Sequence, residues 1–336
     1  MPSNPKSSGR IVAWVGIVLL LALTAGTLYW ITRPTPPETK PAPANNTTQP
    51  PESRLKKIID SAAEKASQGD IPAAEAILKA AIDQYPTSQD LHLAMAQVLL
   101  RNQDLPAVLA SYDRALTIGP AKPEISFEAG NIAYLMGNMV RAEELYAAAG
   151  QADPTRPEYP QALAQVYMKA NKLEEAAAAV MRSIKLDESR GVAWGNLAEI
   201  AMRQGRPQLA LQHIAKARTL EPKENIWRLL EARALNRLGR AQEALDLVIG
   251  LPEAELYKPE IVRVIIESYG LLKQLDAAAD FATKATDAKL SDGEIAYEAA
   301  LAAQRANRPV DYRRYVKRGA SLGHRGCKEL EATLDK

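Results

Sequence analysis

Cysteine and aromatic rings are scarce in this chain. Cys327 is the single cysteine among 336 residues, so no internal disulfide can form and no thiol pair can hold a metal. Phe, Trp and Tyr together supply 5% of the residues, too few of the large anchors on which β-sheet cores are built, while apolar residues as a whole reach 47%. This combination favours an alanine-rich helical architecture. An excess of charge is missing too. The 42 basic and 40 acidic residues leave a formal net charge of +2, with no general pull toward nucleic acid.

Catalytic patterns are also lacking. The histidines His92, His213 and His324 stand far apart, none in a metal-ligand spacing such as HExxH. There is no Gly-rich phosphate loop and no nucleophile elbow, and the paired acids Glu143-Glu144 and Glu174-Glu175 read as solvated helix faces. The residues therefore point to a non-catalytic protein without cofactor or metal.

What is present begins with a short tail, residues 1–10, followed by the uncharged run IVAWVGIVLLLALTAGTLYWIT at residues 11–32. That run is long enough to cross a bilayer core as a helix, and Trp14 at one end with Tyr29 and Trp30 at the other take the two interfacial levels. A cleavable signal peptide would have a shorter apolar core and an Ala-x-Ala-like site, which LTAGTLYW does not offer, so the segment is expected to be a retained signal anchor. Lys6 and Arg10 before it slightly outweigh Arg33 and Lys40, offset by Glu38, after it. The expectation is a single-pass bacterial inner-membrane protein with a cytoplasmic amino terminus and a periplasmic body. Residues 33–54 form a Pro-rich linker, PTPPETKPAPANNTTQPP at its centre, which at about 3.1 Å per residue spans up to roughly 55 Å.

The remainder is periodic. The stretch AMRQGRPQLALQHIAKARTLEP, residues 201–222, reads as one helix ending, a left-handed turn at Gly205, and a second helix stopped by a proline. A frame of 34 residues set on Gly191 holds without insertion from Leu55 to Gly326, giving eight units: 55–88, 89–122, 123–156, 157–190, 191–224, 225–258, 259–292 and 293–326. At the fifteenth place stand Gly69, Gln103, Gly137, Asn171, Gly205, Gly239, Lys273 and Asn307, mostly residues that tolerate a left-handed turn. The eighth place carries Ala62, Ala96, Gly130, Ala164, Ala198, Ala232, Ile266 and Ala300, and the twentieth carries Ala74, Val108, Ala142, Ala176, Ala210, Ala244 and Ala278 before Tyr312 breaks the row. The twenty-seventh has Ala81, Ala115, Ala149, Ser183, Ala217 and Ala285, with Leu251 and Gly319 as exceptions, and prolines close four units at Pro86, Pro120, Pro154 and Pro222. Small side chains at such places let paired helices approach closely.

This pattern resembles the tetratricopeptide repeat family over 272 of the 336 residues. The resemblance implies an all-α, right-handed α-solenoid of helix-turn-helix repeats, preceded by the transmembrane helix and linker, in which the first helix of each unit lines a concave groove that binds a peptide or partner helix of a client protein. In the sixth unit, Ile249-Gly250-Leu251-Pro252 predicts an irregular connection, and residues 327–336 are expected to form a short solvating capping helix. The family's groove-facing places fall here on Gln97, Arg101, Phe127, Asn131, Tyr134, Gln165, Met168, Lys169, Asn196, Glu199, Met202, Arg203, Arg233 and Arg237. Amides can bond a ligand backbone, Met and aromatic residues give adaptable apolar contact, and Arg grips carboxylates. The Lys and Asn clamp of the chaperone-binding members is absent. So is the asparagine ladder of the sugar-transferring members, for which Asn196 stands alone beside Ala94, Glu128 and Ala162.

A second surface gathers Arg305, Arg308, Arg313, Arg314, Lys317, Arg318, Arg325 and Lys328 around one acid, Asp311, and serves either as a polar end-cap or as a site for an anionic partner. The functional expectation is an anchored scaffold, an envelope assembly or chaperone-like adaptor. The alternatives are a cytoplasmically oriented scaffold that recruits an enzyme or regulator to the membrane, and an accessory subunit of envelope polysaccharide export.

Overall fold

The computed structural model describes residues 52–120 and 122–334. Among these, every element is a helix, eighteen in all, and none is a strand. Two compact units divide the chain. The first, ending at Leu186, contains α1 (Glu52–Ser67), α2 (Ile71–Gln84), α3 (Gln89–Arg101), α4 (Leu105–Ile118), α5 (Pro123–Leu135), α6 (Met139–Ala152), α7 (Glu158–Lys169) and α8 (Leu173–Leu186). The second, beginning at Asp187, contains α9 (Gly191–Arg203), α10 (Pro207–Leu220), α11 (Asn225–Arg237), α12 (Ala241–Val248), α13 (Glu253–Leu256), α14 (Pro259–Leu271), α15 (Leu275–Ala288), α16 (Gly293–Arg305), α17 (Pro309–Ser321) and α18 (Arg325–Glu331).

One local device makes the hairpins. Three residues separate the helices of each pair, and the middle one is left-handed every time, with φ of 83° at Gly69, 58° at Gln103, 79° at Gly137, 59° at Asn171, 72° at Gly205, 74° at Gly239, 61° at Lys273 and 56° at Asn307. The third turn residue then donates its N–H to the carbonyl five residues back, as Asn138 does to Ala133 at 2.9 Å and Arg206 to Ala201 at 2.8 Å. This satisfies carbonyls that the ending helix leaves open. The same third residue often caps the next helix: the Oδ1 atoms of Asp70, Asp104 and Asn138 each accept an N–H three residues on at 3.2 Å.

The small residues sit where the paired helices meet. Ala74, Ala96, Ala142, Ala164, Ala176, Ala198, Ala210, Ala232 and Ala244 are all 0% exposed. Larger apolar side chains fill the space on either side of these contacts. In the second unit, Val248, Val262, Ile265, Ile295 and Val316 join Phe281 in one continuous core drawn from α11 through α17.

Three features depart from the repeating plan. α12 has 8 residues against 14 in α10, and the connection to α14 is not wholly irregular, since it contains the single-turn α13. Leu251, 5% exposed, fills the core at a place where alanine is usual. α18 is docked rather than merely solvating: Cys327 is fully buried, and a Cβ on Gly319 would stand 2.2 Å from its Sγ. A glycine replaces the usual alanine at 319 because the thiol occupies that volume.

The expected membrane placement is corrected. Among the described residues no helix is long and apolar enough to cross a membrane. The longest, α1, has 16 residues with charges throughout, ESRLKKIIDSAAEKAS, whereas a span needs about 20 mostly apolar ones. A single-pass inner-membrane protein with a periplasmic body is therefore not what this structure supports. The expected anchor at residues 11–32 and residues 33–51 of the linker lie outside the described residues, and α1 already begins at Glu52, within the last part of the expected linker.

Candidate functional site

In the first unit the expected groove residues divide into two groups. Gln97 and Arg101 on α3 are exposed, as is Lys169 at the end of α7, with Gln165 and Met168 half-buried on the same helix. By contrast, Asn131 is 3% exposed and accepts a hydrogen bond at Oδ1 from the Tyr146 hydroxyl at 2.8 Å. The reason lies at Gly130, where a Cβ would come within 2.7 Å of the Tyr146 ring; without one, the ring lies over α5 and its hydroxyl reaches Asn131. Phe127 packs against Tyr146 and Tyr159, with ring centroids 5.6 and 5.1 Å away. Tyr134 is buried, with the Lys169 ammonium 4.6 Å from its ring centroid. These three side chains are committed to the fold.

A residue that the sequence reading passed over lies beside them. The Tyr112 hydroxyl donates to Glu128 Oε2 at 2.6 Å. Burial pushes the Glu128 carboxyl above the usual glutamate range, and nearby Glu124 adds to this, while the Tyr112 hydrogen bond works against it. A folded-state pKa above the unfolded value means the native state holds the proton more tightly, so stability falls as pH rises through that interval. Glu128→Gln keeps the acceptor and removes the buried charge. Its melting temperature is expected to exceed the parent's at about pH 8, and the gain to shrink as pH drops toward the ordinary glutamate range. A gain that grew on acidification would contradict this assignment.

In the second unit the arginines form an ordered group on one face. Glu199, half-buried on α9, accepts from Arg203 at 3.1 Å and from Arg233 of α11 at 3.3 Å, so the like charges are held by a shared carboxylate. Arg237 ends α11 and is exposed. Met202 is half-buried against the α9–α11 core, and Asn196 is half-buried as well, its Nδ2 atom buried without an acceptor. The face also exposes two residues that the sequence reading omitted, Val192 and Ile226, 44% and 46% accessible.

Known proteins explain this helix pairing. A family model described as tetratricopeptide repeat matches residues 65–126, and a second of the same description matches residues 162–223 and 196–249. Residues 65–126 and 162–249 carry tetratricopeptide repeats. Among solved structures, a tetratricopeptide repeat protein from Parabacteroides merdae superposes with a TM-score of 0.57 at 16% identity, covering 74% of this chain and 99% of that one. The structure of pilF from Pseudomonas aeruginosa gives 0.50 at 18% identity, covering 62% of this chain and 96% of the other. At such identities the likeness is one of fold. A TPR repeat-containing thioredoxin, TTL4 of Arabidopsis thaliana, is 28% identical over 102 residues, 30% of this chain and 15% of that protein's length.

Tetratricopeptide repeats mediate protein–protein interaction and are typically non-catalytic scaffolds. The basic surface of the last unit is partly neutralised by acids of the preceding second helix. Arg308 binds Asp276 at 2.7 Å and Asp280 at 2.6 Å, and Arg314 lies 3.6 Å from Asp287. Arg318 donates to the Leu290 carbonyl, and Arg325 pairs with Glu329, while Arg313, Lys317 and Lys328 are exposed. His92 lies 3.2 Å from the Pro86 carbonyl, and burial beside Trp194 lowers the pKa of His213. His324 accepts the Cys327 N–H at Nδ1 and stacks on Tyr297. Burial pushes the Cys327 thiol up to about 11, so it stays protonated at neutral pH. Among the described residues no group of three His, Cys, Asp or Glu side chains could hold a metal ion.

Proposed function

We propose that this protein is a non-catalytic adaptor that holds a peptide or partner helix of a client protein on the concave face built by the first helices of its repeats. The assembly or chaperone-like role follows from that use. One observation carries the reading: Arg203, Arg233 and Arg237 lie on one accessible face, the first two oriented by Glu199, so a multivalent cationic surface stands ready for a client's carboxylates. The exposed Gln97, Arg101 and Lys169 extend the same logic in the first unit, together with the half-buried Gln165 and Met168, whereas Phe127, Asn131 and Tyr134 support the surface from beneath.

Site-specific photo-cross-linking in the full-length chain tests this. A photoreactive residue at Gln97 or Arg237 on first helices is expected to trap client protein. One at Met181 or Gln242 on second helices, both exposed, is expected to trap much less. Cross-links confined to Met181 and Gln242 would overturn the proposal.

A further inference from the structure

We infer that the face shared by α9 and α11 recognises an acidic amphipathic helix that crosses both of them; this deepens the adaptor reading above and rests on it. The first observation is a broken rule. Elsewhere the first helix of a repeat carries an acid in its first turn: Asp90, Glu124, Glu158, Glu260 and Glu294. An acid there complements the positive end of the helix dipole. α9 and α11 have none, and the equivalent second residues are the exposed Val192 and Ile226. The acids nearest those helix starts come from outside the helices, Glu221 against Gly191 and Glu224 just before α11, while Val192 and Ile226 keep nearly half of their apolar surface in water.

The second observation is the opposite end of the same face. Val192, Glu199 and Arg203 are seven and four residues apart, as are Ile226, Arg233 and Arg237, so each trio lies along one stripe of its helix. The ion pair from Glu199 to Arg233 ties the two stripes together, and three guanidinium groups gather along the far edge. The floor between the ends is closely packed: residue 195 is glycine, and the Trp227 ring takes the volume that a side chain there would need. The face is thus apolar along one edge and cationic along the other, about 16 Å apart at 1.5 Å per residue.

Spacing decides what fits. A helix is about 10–12 Å across with its side chains, so it can lie between the two edges. Packed neighbouring helices are about 8–10 Å apart, close to the roughly 10.5 Å covered by seven residues of a crossing helix. Its apolar residues would then recur at i and i+7 over Val192 and Ile226, with carboxylates at the same interval facing Arg203 and Arg237. An extended strand covers that distance in about three residues, an odd step that turns successive side chains to opposite sides. The complementary partner is therefore helical, acidic on one flank and apolar on the other.

The test is fluorescence anisotropy with full-length protein and a stapled alanine-based helical peptide bearing Leu at i and i+7 and Glu on the opposing flank. This peptide is expected to bind about tenfold more tightly than the same helix with Lys in place of Glu. Arg203→Glu with Arg237→Glu should invert that preference, and Val192→Ser with Ile226→Ser should weaken the Glu peptide about tenfold. Arg237→Gln alone, at an exposed position, should narrow the preference if the double reversal proves poorly folded. Equal binding of both peptides, or no loss on removing Val192 and Ile226, would overturn the inference. In that event client cross-links at Gln97 or Arg237 would leave the adaptor reading standing, whereas cross-links only at Met181 and Gln242 would overturn both.

Discussion

Ile265→Ala is expected to cost about 2–5 kcal/mol of unfolding free energy in urea denaturation, the usual range for truncating a fully buried Ile. Ile265 is 0% exposed at the middle of α14, in the core that Leu229, Val248, Phe281, Ile295 and Val316 supply from five other helices. Truncation removes three carbons and leaves a cavity that the neighbours close only in part. The surroundings offer little relief because Ala278, Ala282, Ala285, Ala299 and Ala300 line the same core and have no side-chain length to reach inward. Repeats are stabilised by nearest-neighbour burial, so protection from amide exchange should fall most in α14 and the helices packed on it, with little change in α1 to α4. A loss below about 1 kcal/mol would show that this core collapses around the gap.

The periodic parts of this fold were legible because one backbone requirement recurs at each turn. A left-handed residue is cheapest as glycine and tolerable as asparagine, so Gly69, Gly137, Asn171 and Asn307 announce themselves, and the fixed step of 34 then assigns the same conformation to Gln103 and Lys273, which composition alone would not have chosen. Alanines mark helix contacts for an equally local reason. What escaped the sequence are long side chains that reach into a neighbouring helix or repeat. Asp276 and Asp280 stand 32 and 28 residues before Arg308, and only the stacking of α15 beside α17 turns a run of cations into ion pairs. Likewise, Asn131 has the right place to meet a ligand, and its commitment to Tyr146 depends on the missing Cβ of Gly130. Gly130 in an alanine row was the available signal for that pairing. Val192 and Ile226 were readable as well, as apolar residues at a place where most other first helices carry acids.

The second large effect is expected at the floor of the α9–α11 face. Gly195→Leu should destabilise the protein by about 3 kcal/mol, at the upper end for overpacking, even though Leu is the better helix former. A Cβ alone would lie 2.3 Å from Trp227 Cζ3 and 2.7 Å from Cη2, closer than van der Waals contact allows. The ring has little room to retreat, being 4% exposed and packed among Ala198, Ala201, Ile214 and Leu230. Trp227→Ala alone should cost about 3–5 kcal/mol through the cavity it leaves. The double variant is then the decisive measurement, because the new side chain at position 195 would grow into the volume vacated by the indole. Its cost should fall short of the sum of the two single costs by at least about 1 kcal/mol. Strict additivity would mean that the indole is not the obstacle and that Gly195 is required by some other contact. A coupled result places glycine and tryptophan as one packing unit, with the indole filling the side-chain volume that residue 195 leaves empty.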